Sequence, residues 1–95
     1  MPTIGVITLE LRIDHSTSLK DKRHYVKGLK DRLRNKFNVA VAEIGHQESH
    51  QLGLIAAVTV SADRAFAEKV LQSVEDEAAH VLGPILVGTA VEWLA

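Results

Sequence analysis

His46 and His50 stand four residues apart, with Glu43 and Glu48 close by. On a helix that spacing puts two imidazoles on one face, where they can share a metal ion. Here they fall in a polar segment between two β-rich runs, where a four-residue interval fixes no geometry. No third nitrogen ligand is placed by the sequence, so a polar exposed loop without metal is expected. His15, His24 and His80 have no useful spacing to one another. Ser16, Thr17 and Ser18 precede a basic segment and loosely resemble a phosphate-binding loop, but the flanking glycines are missing and helix capping explains them. There is no Gly-x-Ser-x-Gly, no Gly-x-Gly-x-x-Gly, and no carboxylate pair that can be placed in one cleft. The absence of cysteine removes thiol catalysis, disulfides and cysteine zinc sites. No catalytic residue and no cofactor is expected, and an enzyme is the minority reading.

The stronger pattern is charge. Eight of the eleven Lys and Arg residues lie between Lys20 and Lys36, offset there only by Asp21 and Asp31, in a chain whose net charge is −1. At about 100° per residue, Lys20, Arg23, Lys27, Lys30 and Arg34 fall within one arc of about 80° and span about 21 Å. Such a row can follow a polyphosphate backbone and release its counterions. The plainer alternative is a solvated helix face, with Glu68, Glu75, Asp76 and Glu77 taking up part of the charge.

These residues need elements to hold them. Thr3 to Ile13 alternates with a period of two, with Gly5, Ile7, Leu9, Leu11 and Ile13 on one side, and predicts a strand. Ser18 is placed to cap a helix, with Asp21 at its third position. Leu19, Val26, Leu29, Leu33 and Phe37 form its apolar stripe, Gly28 suggests close packing, and Asn38 suits its end. Val39 to Ile44 and Leu52 to Ser61 predict a hairpin with a long polar tip. Asp63 (or Ser61) caps a second helix with the stripe Phe66, Val70, Val74, Ala78 and Val81, which Gly83-Pro84 ends. Ile85 to Leu94 supplies the last strand. The order β-α-β-β-α-β defines a single α+β, ferredoxin-like domain over residues 1–95, a four-stranded antiparallel sheet with two helices on one face.

Two helices cover one side of a sheet. The other side is expected to carry Ile4, Val6 and Thr8, with Ala40, Ala42, Ile44, Ile55, Ala57 and Thr59 from the hairpin. An open face this apolar marks an interface, most simply a twofold homodimer through Ile4, Val6, Ile44 and Ile55. Its four aromatics, Tyr25, Phe37, Phe66 and Trp93, do not pair on a central strand, which disfavours the base-stacking sheet of some RNA-binding domains. No apolar run reaches the ~20 residues of a membrane span, and the N-terminus has no signal pattern. A small cytoplasmic protein without membrane contact is expected.

Ser18-Leu19-Lys20-Asp21-Lys22-Arg23, followed by Leu29 to Glu43 (LKDRLRNKFNVAVAE), resembles the signature of the YlxP-like family of small bacterial proteins, a domain of unknown function. Ser61-Ala62-Asp63 is a second anchor, and the resemblance covers nearly the whole chain. It implies a ferredoxin-like fold in a cytoplasmic protein, and supplies no catalytic residue or cofactor to carry over. Such proteins are often encoded beside translation-initiation and ribosome-maturation genes. That favours an accessory factor contacting RNA or a ribosomal particle through Lys20, Arg23, Lys27, Lys30 and Arg34. Relatives usually carry a Trp in the hairpin tip, Gly45 to Gln51, and in this chain His50 stands near that place. The alternatives are a homodimer holding a small ligand between its sheets, with Trp93 as a further lining residue, and a protein-protein adaptor.

Overall fold

A computed structural model describes residues 1–95. The order is β1 (Thr3–Arg12), α1 (Leu19–Lys36), β2 (Ala40–Gly45), β3 (Leu52–Ser61), α2 (Arg64–Leu82), a 3-10 turn (Gly83–Ile85) and β4 (Leu86–Trp93). The strands make one antiparallel sheet in the order β2-β3-β1-β4. This is the ferredoxin-like arrangement expected from the sequence. β3 has the expected bounds, β1 ends one residue early, and β2 and β4 differ from expectation by one residue at each end.

The cap chemistry sets where each helix begins. Ser18 Oγ accepts from the Asp21 amide at 3.1 Å. Asp21 Oδ2 reaches back past the cap to Thr17, accepting from its amide at 3.2 Å and its hydroxyl at 2.9 Å. Those bonds, the Thr17 amide foremost, hold the Asp21 carboxyl below its ordinary range. Asp63 Oδ1 accepts from Ala65 N at 3.0 Å to open α2. Gly83, with φ at 55°, closes it in a conformation that suits glycine. α1 stops at Lys36, two residues before Asn38, whose carbonyl accepts from Thr59 Oγ1 at 2.9 Å.

The core lies between the helices and the sheet face carrying Ile7, Leu9, Leu11, Val41, Ile55 and Ala57. Val26, Leu29 and Leu33 from α1 and Leu71, Val74, Ala78 and Leu82 from α2 fill it. Each Val, Leu or Ile side chain among them contributes about 1.5–3 kcal/mol when removed from water. The helices are also tied by charge: Arg32 and Lys36 both reach Glu77, Lys36 Nζ lying 2.7 Å from its Oε1. The Lys36 bond, then the Arg32 bond, lowers the pKa of that carboxyl.

Three expectations are corrected. Ile55, Ala57 and Thr59 are 0%, 0% and 2% exposed and face the helices, so Ile55 belongs to the core and not to an open interface. Ile55 pairs with Leu9 on the covered side, and β3 is apolar on both faces, so sequence alternation gave no fixed register. The α2 stripe keeps Val74 and Ala78 but shifts by one residue at its ends: Ala67, Leu71 and Leu82 are buried, while Phe66 and Val81 stand exposed. Gly28 faces open space, with no atom within 4 Å of where a Cβ would sit.

The glycine that does serve close packing is Gly5. A Cβ there would lie 2.5 Å from Trp93 Cζ3 and 2.8 Å from Leu71 Cδ1. Trp93 pairs with Gly5 in the β1–β4 ladder, so its ring lies over the gap on the helix-covered side, and it does not line the open face. Gly5→Val should therefore cost about 1–3 kcal/mol and expose Trp93, read as a lower denaturant midpoint and a red-shifted emission. Gly28→Ala should instead stabilise by up to about 1 kcal/mol. Equal stability of the two variants would contradict this assignment.

Candidate functional site

Lys22 occupies the place in the α1 stripe midway across the gap between Leu19 and Val26, and its side chain is 1% exposed. Its ammonium donates to the carbonyls of His46 at 2.7 Å and Leu52 at 3.1 Å, the two ends of the hairpin tip. Glu43, on the helix-facing side of β2, brings Oε2 to 3.1 Å as the counter-charge. That oxygen has no hydrogen-bond donor of its own and is satisfied by charge alone. His46 takes φ of 59°, an uncommon conformation for a residue with a side chain, and its carbonyl is the closest Lys22 partner. The sequence reading missed Lys22 because lysine counts as polar. The signal was the seven-residue interval in the apolar stripe, which leaves one inward position occupied by a cation.

With Lys22 turned inward, the expected cations take up the solvent side of α1. Lys20, Arg23, Lys27 and Arg34 are exposed and Lys30 half-buried. Arg23, Lys27, Lys30 and Arg34 line a groove of about 500 Å3 along the α1–β2 boundary, with Val26, Asp31 and Glu43. Asp31 sits among them, 2.6 Å from Lys27 Nζ and 3.7 Å from Arg34 Nη1. The Lys27 bond chiefly holds its carboxyl below the ordinary range, so it stays charged. Arg34 Nη2 also donates to the Val41 carbonyl at 3.0 Å, covering part of the β2 sheet edge. Of the four carboxylates on α2 weighed as partners, only Glu77 meets α1 cations. Glu68 pairs with Arg64, Glu75 accepts from Thr89 and Asp76 from Gln72.

The His46–His50 loop folds on itself. Ser49 Oγ accepts from the amides of Gln51 and Leu52 at 3.2 and 2.9 Å. His50 lines a shallow recess of about 350 Å3 with Ser16, Glu48, Ser49 and Gln51. His46 borders a different one, beside Glu10, Arg12 and Leu52.

The face opposite the helices follows from the strand registers. Ile4, Val6 and Thr8 pair across β1–β3 with Val60, Val58 and Ala56, and Val58 and Ala56 in turn neighbour Ala40 and Ala42 of β2. Ile44 is 53% and Val60 55% exposed. The expected Ile4, Val6 and Ile44 thus do lie on the uncovered side, and Leu54, Ala56 and Val58 take the places assigned to Ile55, Ala57 and Thr59.

This geometry defines a ferredoxin-like α+β protein with a buried lysine clamp and a cationic flank on its first helix. The chain belongs to the family described as Protein of unknown function (DUF503), whose model matches residues 4–82. It is 41% identical over 71 residues to the Uncharacterized protein YlxP of Bacillus subtilis (strain 168), covering 75% of this chain and 77% of that protein. The resemblance drawn from the Ser18–Arg23 and Leu29–Glu43 segments is therefore shown. Among solved structures, a de novo designed protein, Foldit4, superposes over 100% of this chain and 98% of its own, with a TM-score of 0.62 at 10% identity. A C-terminal segment of the alpha subunit of aIF2 from Pyrococcus abyssi gives 0.55 at 17% identity, over 98% of this chain and 49% of that one. A dimeric ferredoxin-like protein of unknown function from Thermobifida fusca gives 0.52 at 16% identity, over 97% and 91%. These likenesses establish the fold. No helix is long and apolar enough to cross a membrane.

Removing the Lys22 ammonium leaves two carbonyls and a carboxylate without their shared partner. Lys22→Met should cost about 3–5 kcal/mol by chemical denaturation. The double variant with Glu43→Leu should recover part of that loss, giving a favourable coupling in the mutant cycle. A loss below about 1 kcal/mol would remove the clamp from its central place.

Proposed function

We propose that the protein is a non-enzymatic, cytoplasmic accessory factor that contacts RNA, free or within a ribosomal particle, through the outer flank of α1. The observation carrying this reading is that Arg23, Lys27, Lys30 and Arg34 line one accessible groove, with Lys20 exposed about one turn nearer the helix start and Asp31 and Glu43 the carboxylates in that lining. The competing Asp31 pairs are weak obstacles. Exposed ion pairs contribute about 0–1 kcal/mol, so a phosphate can replace Asp31 as a partner of Lys27 or Arg34 at little cost. Phosphate contacts of this kind position the protein without reading sequence.

A second reading, compatible with the first, is a twofold homodimer through the open sheet face. Val6, Val58, Ala56, Ala40 and Ala42 are small and apolar where a wetted face normally carries charged and polar side chains. Small side chains let two sheets approach closely, and one patch serves both copies of a twofold pair. The Thermobifida fusca protein of the same fold is described as dimeric.

Each reading has its own test. Lys27→Glu, Lys30→Glu and Arg34→Glu combined should abolish co-sedimentation with ribosomal subunits while circular dichroism stays unchanged; undiminished sedimentation refutes the RNA reading. For the dimer, sedimentation equilibrium at micromolar concentration should return twice the 10.4 kDa chain mass, and Val58→Asp should return the chain mass itself. A wild-type monomer refutes the second reading.

A further inference from the structure

The N-terminal end of α1 carries a cluster of rings outside the core. Tyr25 is half-buried, with its hydroxyl 2.7 Å from His15 Nε2. The His15 ring meets it edge to face, centroids 5.5 Å apart and planes at 75°. The exposed His24 flanks it at 5.8 Å and 84°. With Lys20 and Asp21 these rings line a recess of about 420 Å3. Lys20 is also the first cation of the α1 row, so the recess continues the cationic flank around the start of the helix.

We propose that this recess receives an unpaired nucleobase, which makes single-stranded RNA the ligand of the α1 flank; the inference rests on the RNA reading above. An edge-to-face contact covers one face of one ring at most. The two contacts among these three rings therefore leave other ring faces that the rings do not cover for one another, where a planar base can stack. Stacking on aromatic side chains is how unpaired bases are held, while a duplex keeps its bases inside and offers only phosphates. Asp21 accepts both Thr17 bonds through Oδ2, which leaves Oδ1 to accept from an amino group on the base edge. The other aromatics are placed differently. The Trp93 ring lies under the Arg64 guanidinium at 3.8 Å, in a recess lined by two carboxylates, Glu68 and Glu75, and no lysine, whereas the Tyr25 recess sets Lys20 against its one carboxylate. Phe66 stands exposed on α2, away from the cationic row. A base held at Tyr25 has Lys20 in the same recess, and from there the strand turns round the start of the helix to reach Arg23, about 160° from Tyr25 on the helical wheel.

The test is fluorescence anisotropy of labelled RNA, about ten nucleotides long, as a single strand and as a duplex, titrated with the full chain over a range of salt. The single strand should bind roughly tenfold tighter than the duplex. Tyr25→Ala should remove roughly that tenfold from the single strand, leaving duplex affinity and the salt slope unchanged. Tyr25→Phe should retain most of it, because the ring remains. His24→Ala, at an exposed position, should weaken single-strand binding severalfold and keeps the test valid if Tyr25→Ala fails to fold. Equal affinity for strand and duplex, or single-strand binding indifferent to both alanine variants, overturns the base site while leaving the RNA reading in place. Binding to neither form overturns both.

Discussion

One ammonium group sets the pose of the first helix. Lys22 is spent on the carbonyls of His46 and Leu52 and on the charge of Glu43, so the start of α1, β2 and both ends of the hairpin tip converge on one atom. A buried cation has no alternative partner within the core, and a rotation of α1 would strand it away from water at a cost of several kcal/mol. Once Lys22 is fixed inward, helical geometry carries Arg23, Lys27, Lys30 and Arg34 to the side of the helix that borders β2. The outward display of charge is thus a consequence of an inward one.

The eight cations of α1 divide by what they meet. Lys22 is internal, and Arg32 and Lys36 are bound to Glu77, where they join the two helices. Lys27 and Arg34 share Asp31, an exposed pairing that a phosphate can compete with. Lys20, Arg23 and Lys30 have no carboxylate within 4.0 Å. A segment that reads as uniformly basic is therefore three structural cations and a row of five. The row is smaller than the sequence count suggests and better ordered.

What could be read from the sequence was whatever depends on local chemistry. The alternation in Thr3–Arg12, the caps at Ser18 and Asp63 and the Gly83-Pro84 stop each rest on a few adjacent residues, and each has its expected place. What could not be read depends on partners distant in sequence. β3 is apolar on both faces, so only its pairing with β1 decides that Ile55 is core and Leu54 is not. α2 offers apolar residues over a wide arc, and packing against the sheet selects Ala67 and Leu71 over Phe66. Gly5 appeared as one more small residue in an alternating strand, although its role is set by Trp93, at the other end of the chain.

The two surfaces proposed for binding do not compete for space. The apolar sheet face lies on the side of β1 and β3 away from both helices, whereas the cationic row and the Tyr25 recess belong to α1 on the covered side. A twofold pair joined sheet to sheet would bury the first surface completely and turn both copies of the second outward. Two such flanks on one particle can engage a single polyanion at two points. The second contact is then intramolecular, and overall affinity can rise by orders of magnitude without any new contact, provided the strand spans both sites. Self-association and RNA contact, proposed here for separate surfaces, would then reinforce one another: the sheet would supply the valency and the helix the charge.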